Sequence, residues 1–392
     1  MQKKVKHIIN LAFDTLVKWR EHLHANPELS FQEYNTSAFV ASRLDEMNVS
    51  YEVVANTGIV ALIEGVNPSR KCVALRADLD ALPIKEENKV LYKSKVDGVM
   101  HACGHDVHTT CLLGAAMVLS DLRSEFQGTI KLIFQPGEEV LPGGASLMIK
   151  EGVLENPKVD EIIALHVLPT MDVGKVGFKA GQYMASCDEL YLTVKGKGGH
   201  AALPDQYNNP IMILAKLLPK LELYMKSLST GDSSYIFAFG KFHADGATNV
   251  IPEVAQAEGT LRTMDESWRG LVHQKLETFV AEFLKSNNAE GQLEIRKGYP
   301  FLQNDDDLTC SSMRSAKMYL GEAMVEDMEI RMTAEDFSYY SHEIPACFFR
   351  LGVRNEDLGI IHGVHHSQFD IDKQALKVGA GLMAFLAINA LD

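Results

Sequence analysis

The chain has 392 residues, 46% of them hydrophobic and 23% charged, and 38 Lys and Arg against 52 Asp and Glu leave a net charge of −14. That length exceeds one domain of roughly 100–200 residues and implies two or three. The composition excludes a disordered, collagen-like or coiled-coil chain, and the acidic balance argues against nucleic acid as a partner. The six cysteines, Cys72, Cys103, Cys111, Cys187, Cys310 and Cys347, form no C-x-x-C pair and no dense framework. They suit a reducing, cytoplasmic setting better than a disulfide-stapled one.

Lys3, Lys4 and Lys6 open the chain, but Asp14 and Lys18 interrupt any signal-like apolar stretch. Val5, Ile8, Ile9, Ala12, Leu16, Trp19 and Leu23 instead fall at helical spacing and predict an amphipathic first helix. No apolar run reaches the roughly 18 residues of a membrane span, so no membrane partner is expected. Residues 72–75 read as a short buried strand ending in Arg76-Ala-Asp78-Leu-Asp80. Residues 109–119 read as a helix, 129–134 as a strand stopping at Gln135-Pro136-Gly137, and 162–165 as a strand ending in His166. Strands alternating with helices predict an α/β sheet, whose ligands gather beyond the carboxyl ends of the strands.

Near residue 185 the pattern changes to the period of half-exposed strands. A strand about Leu190, Leu192 and Val194 is followed by a helix over 211–225, strands over 235–242 and 254–262, a helix over 266–284 and a strand over 293–296. That β-α-β-β-α-β order is ferredoxin-like. The α/β texture returns after Tyr299 and closes with a small-residue helix over 375–390. The expected organisation is a main domain in two parts, 1–184 and 298–392, with a smaller domain, 185–297, inserted between them.

His101-Ala-Cys103-Gly104-His105-Asp106-Val107-His108 is the densest chemical cluster. Thiolate and imidazole suit zinc and its transition-metal neighbours, and the glycine lets Cys103 and His105 reach one ion. In Gln135-Pro136-Gly137-Glu138-Glu139, two adjacent carboxylates follow a strand and a turn. One can bind metal while the other activates water. His166 and His365-His366 gain meaning only beside such a cluster. Asp78 and Asp80 are read as facing opposite ways, one orienting a ligand and the other structural. Within the inserted domain the candidates are His200 on a glycine-rich turn, Asn249 in Thr248-Asn-Val-Ile-Pro252, and Arg262 at a strand end, where a guanidinium can clamp a carboxylate.

Together these motifs resemble the aminoacylase/carboxypeptidase-type metallo-amidohydrolases, in the branch of hippurate hydrolase, N-acetyl-diaminopimelate deacetylase and plant auxin-conjugate hydrolases. The matching segments are His24-Ala-Asn-Pro-Glu-Leu29, Arg76-Ala-Asp-Leu-Asp-Ala-Leu-Pro83, Met100-His-Ala-Cys-Gly-His-Asp106, Gln135-Pro-Gly-Glu-Glu139, Leu165-His166, Gly198-Gly-His-Ala-Ala202, Thr248-Asn-Val-Ile-Pro252, Gly259-Thr-Leu-Arg262, Ala334-Glu-Asp-Phe337 and the His365 segment. The resemblance implies a zinc-exopeptidase-like α/β catalytic domain with an inserted ferredoxin-like lid and dimerisation domain. It implies two divalent ions, Zn, Mn, Co or Ni, held by Cys103, His105, Glu139, His166 and His365, with Cys103 bridging and Glu138 the general base. His200, Asn249 and Arg262 would reach the substrate, an N-acyl amino acid. In the family pattern a basic residue and often proline precede the aromatic; here Ser367 and Gln368 stand there, so His366 rivals His365. A dipeptidase or carboxypeptidase on the same scaffold is the nearer alternative. A thiol hydrolase using Cys103 and a non-catalytic metal-binding protein are the more distant ones.

Overall fold

Helix α1 (Gln2–Ala25) buries Val5, Ile9, Ala12, Leu16, Trp19 and Leu23 along one stripe, as its spacing dictates. This computed structural model describes residues 1–229 and 234–392. Its contacts group the chain into two units, Met1–Tyr183 with Gln303–Ile330 and Asp336–Asp392, and Met184–Leu302 with Arg331–Glu335.

In the first unit α1 is followed by α2 (Tyr34–Glu46), β1 (Tyr51–Val54), β2 (Gly58–Glu64), β3 (Cys72–Asp78), α3 (His105–Asp121), β4 (Thr129–Gln135), α4 (Gly144–Lys150), β5 (Glu161–Asp172) and β6 (Val176–Phe178). A short strand, β7 (Gly181–Met184), leads along the chain into the second unit. There the order is β8 (Asp188–Lys195), β9 (Gly199–His200), α5 (Pro210–Leu228), β10 (Tyr235–His243), β11 (Val250–Ile251), β12 (Val254–Thr263), α6 (Glu266–Ser286) and β13 (Glu290–Lys297). After β14 (Leu302–Asn304) the first unit resumes with α7 (Asp306–Leu320), β15 (Val325–Asp327), α8 (Ser338–Ser341), β16 (Ala346–Arg354) and α9 (Gln374–Ala390).

The first unit is built on an eight-stranded sheet in the order β1-β2-β4-β3-β5-β16-β6-β15. Its middle, β4-β3-β5-β16, is parallel, while β1 and β2 are joined on antiparallel. Strands β3 and β4 are buried at every residue, the mark of a parallel strand covered on both faces. Helices α3 and α9 are buried almost all round because small residues let them approach closely. A Cβ on Gly379 would lie 2.5 Å from Cys111 Sγ, and one on Gly114 would lie 2.7 Å from Ala380 Cβ.

The second unit is a four-stranded antiparallel sheet in the order β10-β12-β8-β13. Strand order and connectivity are those of a ferredoxin-like unit. Leu190, Leu192 and Val194 from β8 pack with Leu214, Leu217 and Leu221 from α5 and Val272, Leu276 and Val280 from α6 in a core of its own. Asp188 is buried there between Arg269 and His273. Burial opposes its ionisation, but the His273 and Arg269 hydrogen bonds outweigh it and hold the carboxyl below the usual carboxylate range.

Strand β5 differs from the sequence expectation. It does not end at His166 but runs on to Asp172. Its pairing with β3 stops at Ala164, while β16 accompanies it further, with Arg350 opposite His166. His166 is therefore inside a strand, yet just past the point where the β3 neighbour has ended.

Candidate metal centre

Three segments of the first unit that carry candidate ligands meet near the carboxyl ends of β3 and β4 and at His166 within β5. Cys103 precedes α3 and His105 is its first residue. Between them Gly104 has φ of 89°, and a Cβ there would come within 2.6 Å of Val167. Only glycine takes both the conformation and the space, and the turn it makes aims the two neighbouring side chains inward. Glu138 and Glu139 follow β4 through Gly137, whose amide donates to Glu33 at 2.8 Å. The Glu139 amide donates to Asp80 at 3.0 Å.

Each central imidazole has its tautomer set from outside. His105 Nδ1 lies 3.1 Å from Asp80 Oδ1, and His166 Nδ1 donates to the Val167 carbonyl at 2.8 Å. Both rings thus turn Nε2 inward, the arrangement of metal-ligating histidines whose other nitrogen is held by an oxygen. His166 Nε2 is 3.4 Å from Cys103 Sγ. His105 Nε2 is 4.0 Å from Glu139 Oε1, and neither of these two buried atoms has a hydrogen-bond partner. Two such orphans facing each other are costly unless a cation lies between them. His365 Nε2 stands 3.4 Å from the same Glu139 Oε1.

The ligand atoms of Cys103, His105 and His166 lie within 4.8 Å of one another, and so do those of Cys103, Glu139 and His365. The two groups share Cys103. This donor set of thiolate, imidazole and carboxylate fits divalent transition ions. Burial and the Glu139 carboxylate push the Cys103 thiol well above its ordinary value, so without a cation it stays protonated and weakly nucleophilic. Burial, His108 and Arg350 push His166 well below its ordinary value and keep it neutral. Glu138 is buried beside the group, with the Asp336 amide 3.4 Å from its Oε1.

Asp78 and Asp80 do not face opposite ways. Both reach His105, Asp80 at Nδ1 and Asp78 Oδ2 at 3.8 Å from Nε2. Residues two apart on an extended chain share a face, which is the physical reason. Asp78 also takes His108 Nδ1 at 2.6 Å, while His108 Nε2 accepts the Val167 amide at 3.0 Å. With both nitrogens engaged, His108 has none left for an ion. His101 joins neither ligand group; burial lowers it to about 4. His366 stacks on His362 with centroids 4.3 Å apart, and its Nδ1 accepts the Gln368 amide at 3.0 Å.

The second unit carries the other three candidates on its own framework. β9 and β11 pair with Val250 opposite His200, and the Ala201 amide donates to the Asn249 carbonyl at 3.0 Å, so His200 and Asn249 are neighbours. The Ala202 amide donates to His200 Nδ1 at 3.1 Å, which leaves the neutral ring with its proton on Nε2. Arg262 lies on β12 opposite Ile236 and donates to the Met332 carbonyl at 3.2 Å.

One residue had no role assigned from sequence. Asp336 receives Arg76 at 2.8 Å, Gln135 at 2.7 and 2.8 Å, and the Ala145 amide at 3.0 Å. Its only sequence signal is its place in Ala334-Glu-Asp-Phe337. The buried ion pair and hydrogen bonds that hold it join residues far apart in the chain, which no local pattern reveals.

A largely parallel α/β sheet carries Cys, His and Glu side chains of metal-binding type near its strand ends, with a second buried carboxylate beside them, an arrangement that fits a metal-dependent hydrolase. Residues 74–389 match peptidase family M20/M25/M40. The Bacillus subtilis protein YhaA is 38% identical over 390 residues, covering 99% of this chain and 98% of YhaA. An N-acetyl-L-cysteine deacetylase of the same organism is 37% identical, covering 92% and 84%. Thermostable carboxypeptidase 2 of Saccharolobus solfataricus is 35% identical, covering 99% and 98%. The crystal structure of Bacillus subtilis YXEP, described as a dinuclear metal binding peptidase of the M20 family, has a TM-score of 0.83 at 31% identity, covering 97% and 99%. The chain belongs to peptidase family M20/M25/M40 and is a hydrolase acting on amide bonds. The resemblance drawn from its motifs and the mixed α/β fold expected from it both hold.

Proposed function

We propose that the protein hydrolyses the amide bond of an N-acyl amino acid, with Cys103, His105, Glu139, His166 and His365 holding two divalent ions. The observation that carries this reading is the pair of ligand groups sharing Cys103, with Glu138 next to Glu139. Divalent ions held there would polarise the amide carbonyl and make water acidic enough to ionise near neutral pH. Glu138 takes a proton from water as the water oxygen bonds to the carbonyl carbon. It then returns that proton to the leaving nitrogen as the C–N bond breaks, giving a carboxylic acid and a free amino acid. His200, with its proton on Nε2, is a donor for the developing oxyanion. Asn249 and Arg262 bind the amino-acid carboxylate, which also offsets the repulsive field of an acidic protein. The inserted unit is a lid and dimerisation unit, and the enzyme is a homodimer.

Relatives named deacetylase support the N-acyl reading, and one named carboxypeptidase supports a second reading on the same site. The test is a panel of N-acetyl, benzoyl, succinyl and indole-acetyl amino acids beside unblocked peptides, each with Zn, Mn, Co or Ni restored to chelator-treated enzyme. Amine release from N-acyl amino acids, absent without metal, is the expected result. Cleavage of peptides alone would make it a carboxypeptidase. Full activity without metal, abolished by thiol alkylation, would transfer the chemistry to Cys103 as a nucleophile.

A further inference from the structure

The backbone of His365 is anchored by its amide, which donates to the Ala102 carbonyl at 2.8 Å, but its side chain is held by little else. Its side chain is 52% exposed, it lies between β16 and α9 outside any helix or strand, and its backbone has φ of 64°. A non-glycine residue in that region keeps its conformation only where its surroundings impose it. A second restraint on the same loop comes at Asp370. Asp370 Oδ1 is 2.9 Å from Arg20 Nη1, and Asp370 Oδ2 accepts the Tyr92 hydroxyl at 2.7 Å. Arg20, fully buried, also donates through Nε to Asp106 Oδ2 at 2.9 Å. Asp106 is bonded to His24 at 2.7 Å and directly follows His105. One guanidinium on α1 therefore bridges the residue beside one ligand and the segment that carries another.

We propose that the Arg20–Asp370–Tyr92 clamp positions His365 as a metal ligand, Asp370 and Arg20 acting as positioning residues rather than catalytic ones. The inference rests on His365 being a ligand. A guanidinium suits the task because it stays charged and can lie between two carboxylates at once. Arg20 is fully buried and Asp370 and Tyr92 are half-buried, so removing Asp370 would leave a buried guanidinium short of a counter-charge.

The experiment uses metal-loaded enzyme challenged with a chelator, and the visible spectrum of the cobalt-loaded form. Asp370→Ala should weaken metal retention roughly 10–100-fold, the usual cost of losing support behind a ligand, and should alter the cobalt spectrum. Asp370→Asn, which keeps an acceptor for Tyr92, should fall between Asp370→Ala and wild type. Tyr92→Phe, which removes one hydroxyl, should shift retention the same way but less, and serves if Asp370→Ala does not fold. His365→Ala is the reference. If it weakens retention while folded Asp370→Ala and Tyr92→Phe bind metal and absorb as wild type does, the clamp is a stability feature and the proposal is overturned. If His365→Ala itself retains metal normally, the ligand assignment fails and the clamp's role falls with it.

Discussion

Glu138 and Glu139 are adjacent in the chain but meet different surroundings. Glu139 Oε1 faces His105 and His365 without a hydrogen bond, whereas Glu138 is buried with Oε1 against the Asp336 amide. Glu138→Gln should keep its metal and lose roughly 10²–10⁴-fold in rate, the worth of a positioned base. Glu139→Gln should lose metal affinity as well; metal content and kcat measured on both variants check this, and the reverse pattern would exchange the roles. The two histidines of the last loop separate by the same logic. His365 points Nε2 at Glu139, while His366 is committed to His362 and the Gln368 amide. His365→Ala should lower metal content and His366→Ala should not, as read by elemental analysis of the purified proteins. The candidate ligand types and the paired carboxylates stood out in the sequence because thiolate, imidazole and adjacent carboxylates are rare in such density. The choice between neighbours was not, since a positive φ at His365 is a property of the folded loop and its anchors.

At the scale of elements, the site depends on α3 presenting its first turn to the ends of β3 and β4 and to His166 within β5. That placement is set by how closely α3 and α9 pack. Gly379 is the contact that permits it, since a Cβ would meet Cys111 Sγ at 2.5 Å and Leu351 Cδ2 at 2.9 Å. Gly379→Ala should cost about 1–3 kcal/mol through overpacking and lower the melting temperature. Adding Cys111→Ala should recover part of the loss, because it removes the nearest clashing atom. Equal melting temperatures for wild type and Gly379→Ala would mean that the helices shift apart at no cost. α9 falls where its small, apolar residues put it, but α3 starts at His105 rather than at residue 109, because its mostly polar first turn carries little apolar signal. The extension of β5 past His166 was not readable from periodicity, because it rests on pairing with β16, nearly two hundred residues further along the chain.

At the scale of the whole molecule, the second unit carries candidate substrate-binding residues of its own. His200 and Asn249 sit together on the β9–β11 ribbon, and the second unit holds none of the five proposed metal ligands. If His200 serves the site of a partner subunit, inactive His200→Ala and inactive Glu138→Ala proteins should complement after subunit exchange. About half the dimers would then be mixed, each with one intact site of two, so about a quarter of wild-type activity should return. No recovery after proven exchange would place His200 in its own subunit's site or in a structural role.

From residue types and their spacing alone came the alternating sheet, the ferredoxin-like insertion, the ligand types and the two adjacent carboxylates. These are legible because helix and strand periods and metal-binding side chains are local properties of a chain. Only the tertiary structure brought the shared face of Asp78 and Asp80 onto His105, and decided that His108 spends both its nitrogens on Asp78 and Val167. It alone placed Asp336 on Arg76 and Gln135, and put one arginine of the first helix between the two segments that carry His105 and His365. Each of these is a buried polar contact between residues distant in sequence. Such contacts form only where the fold removes water and leaves a donor and an acceptor no other partner.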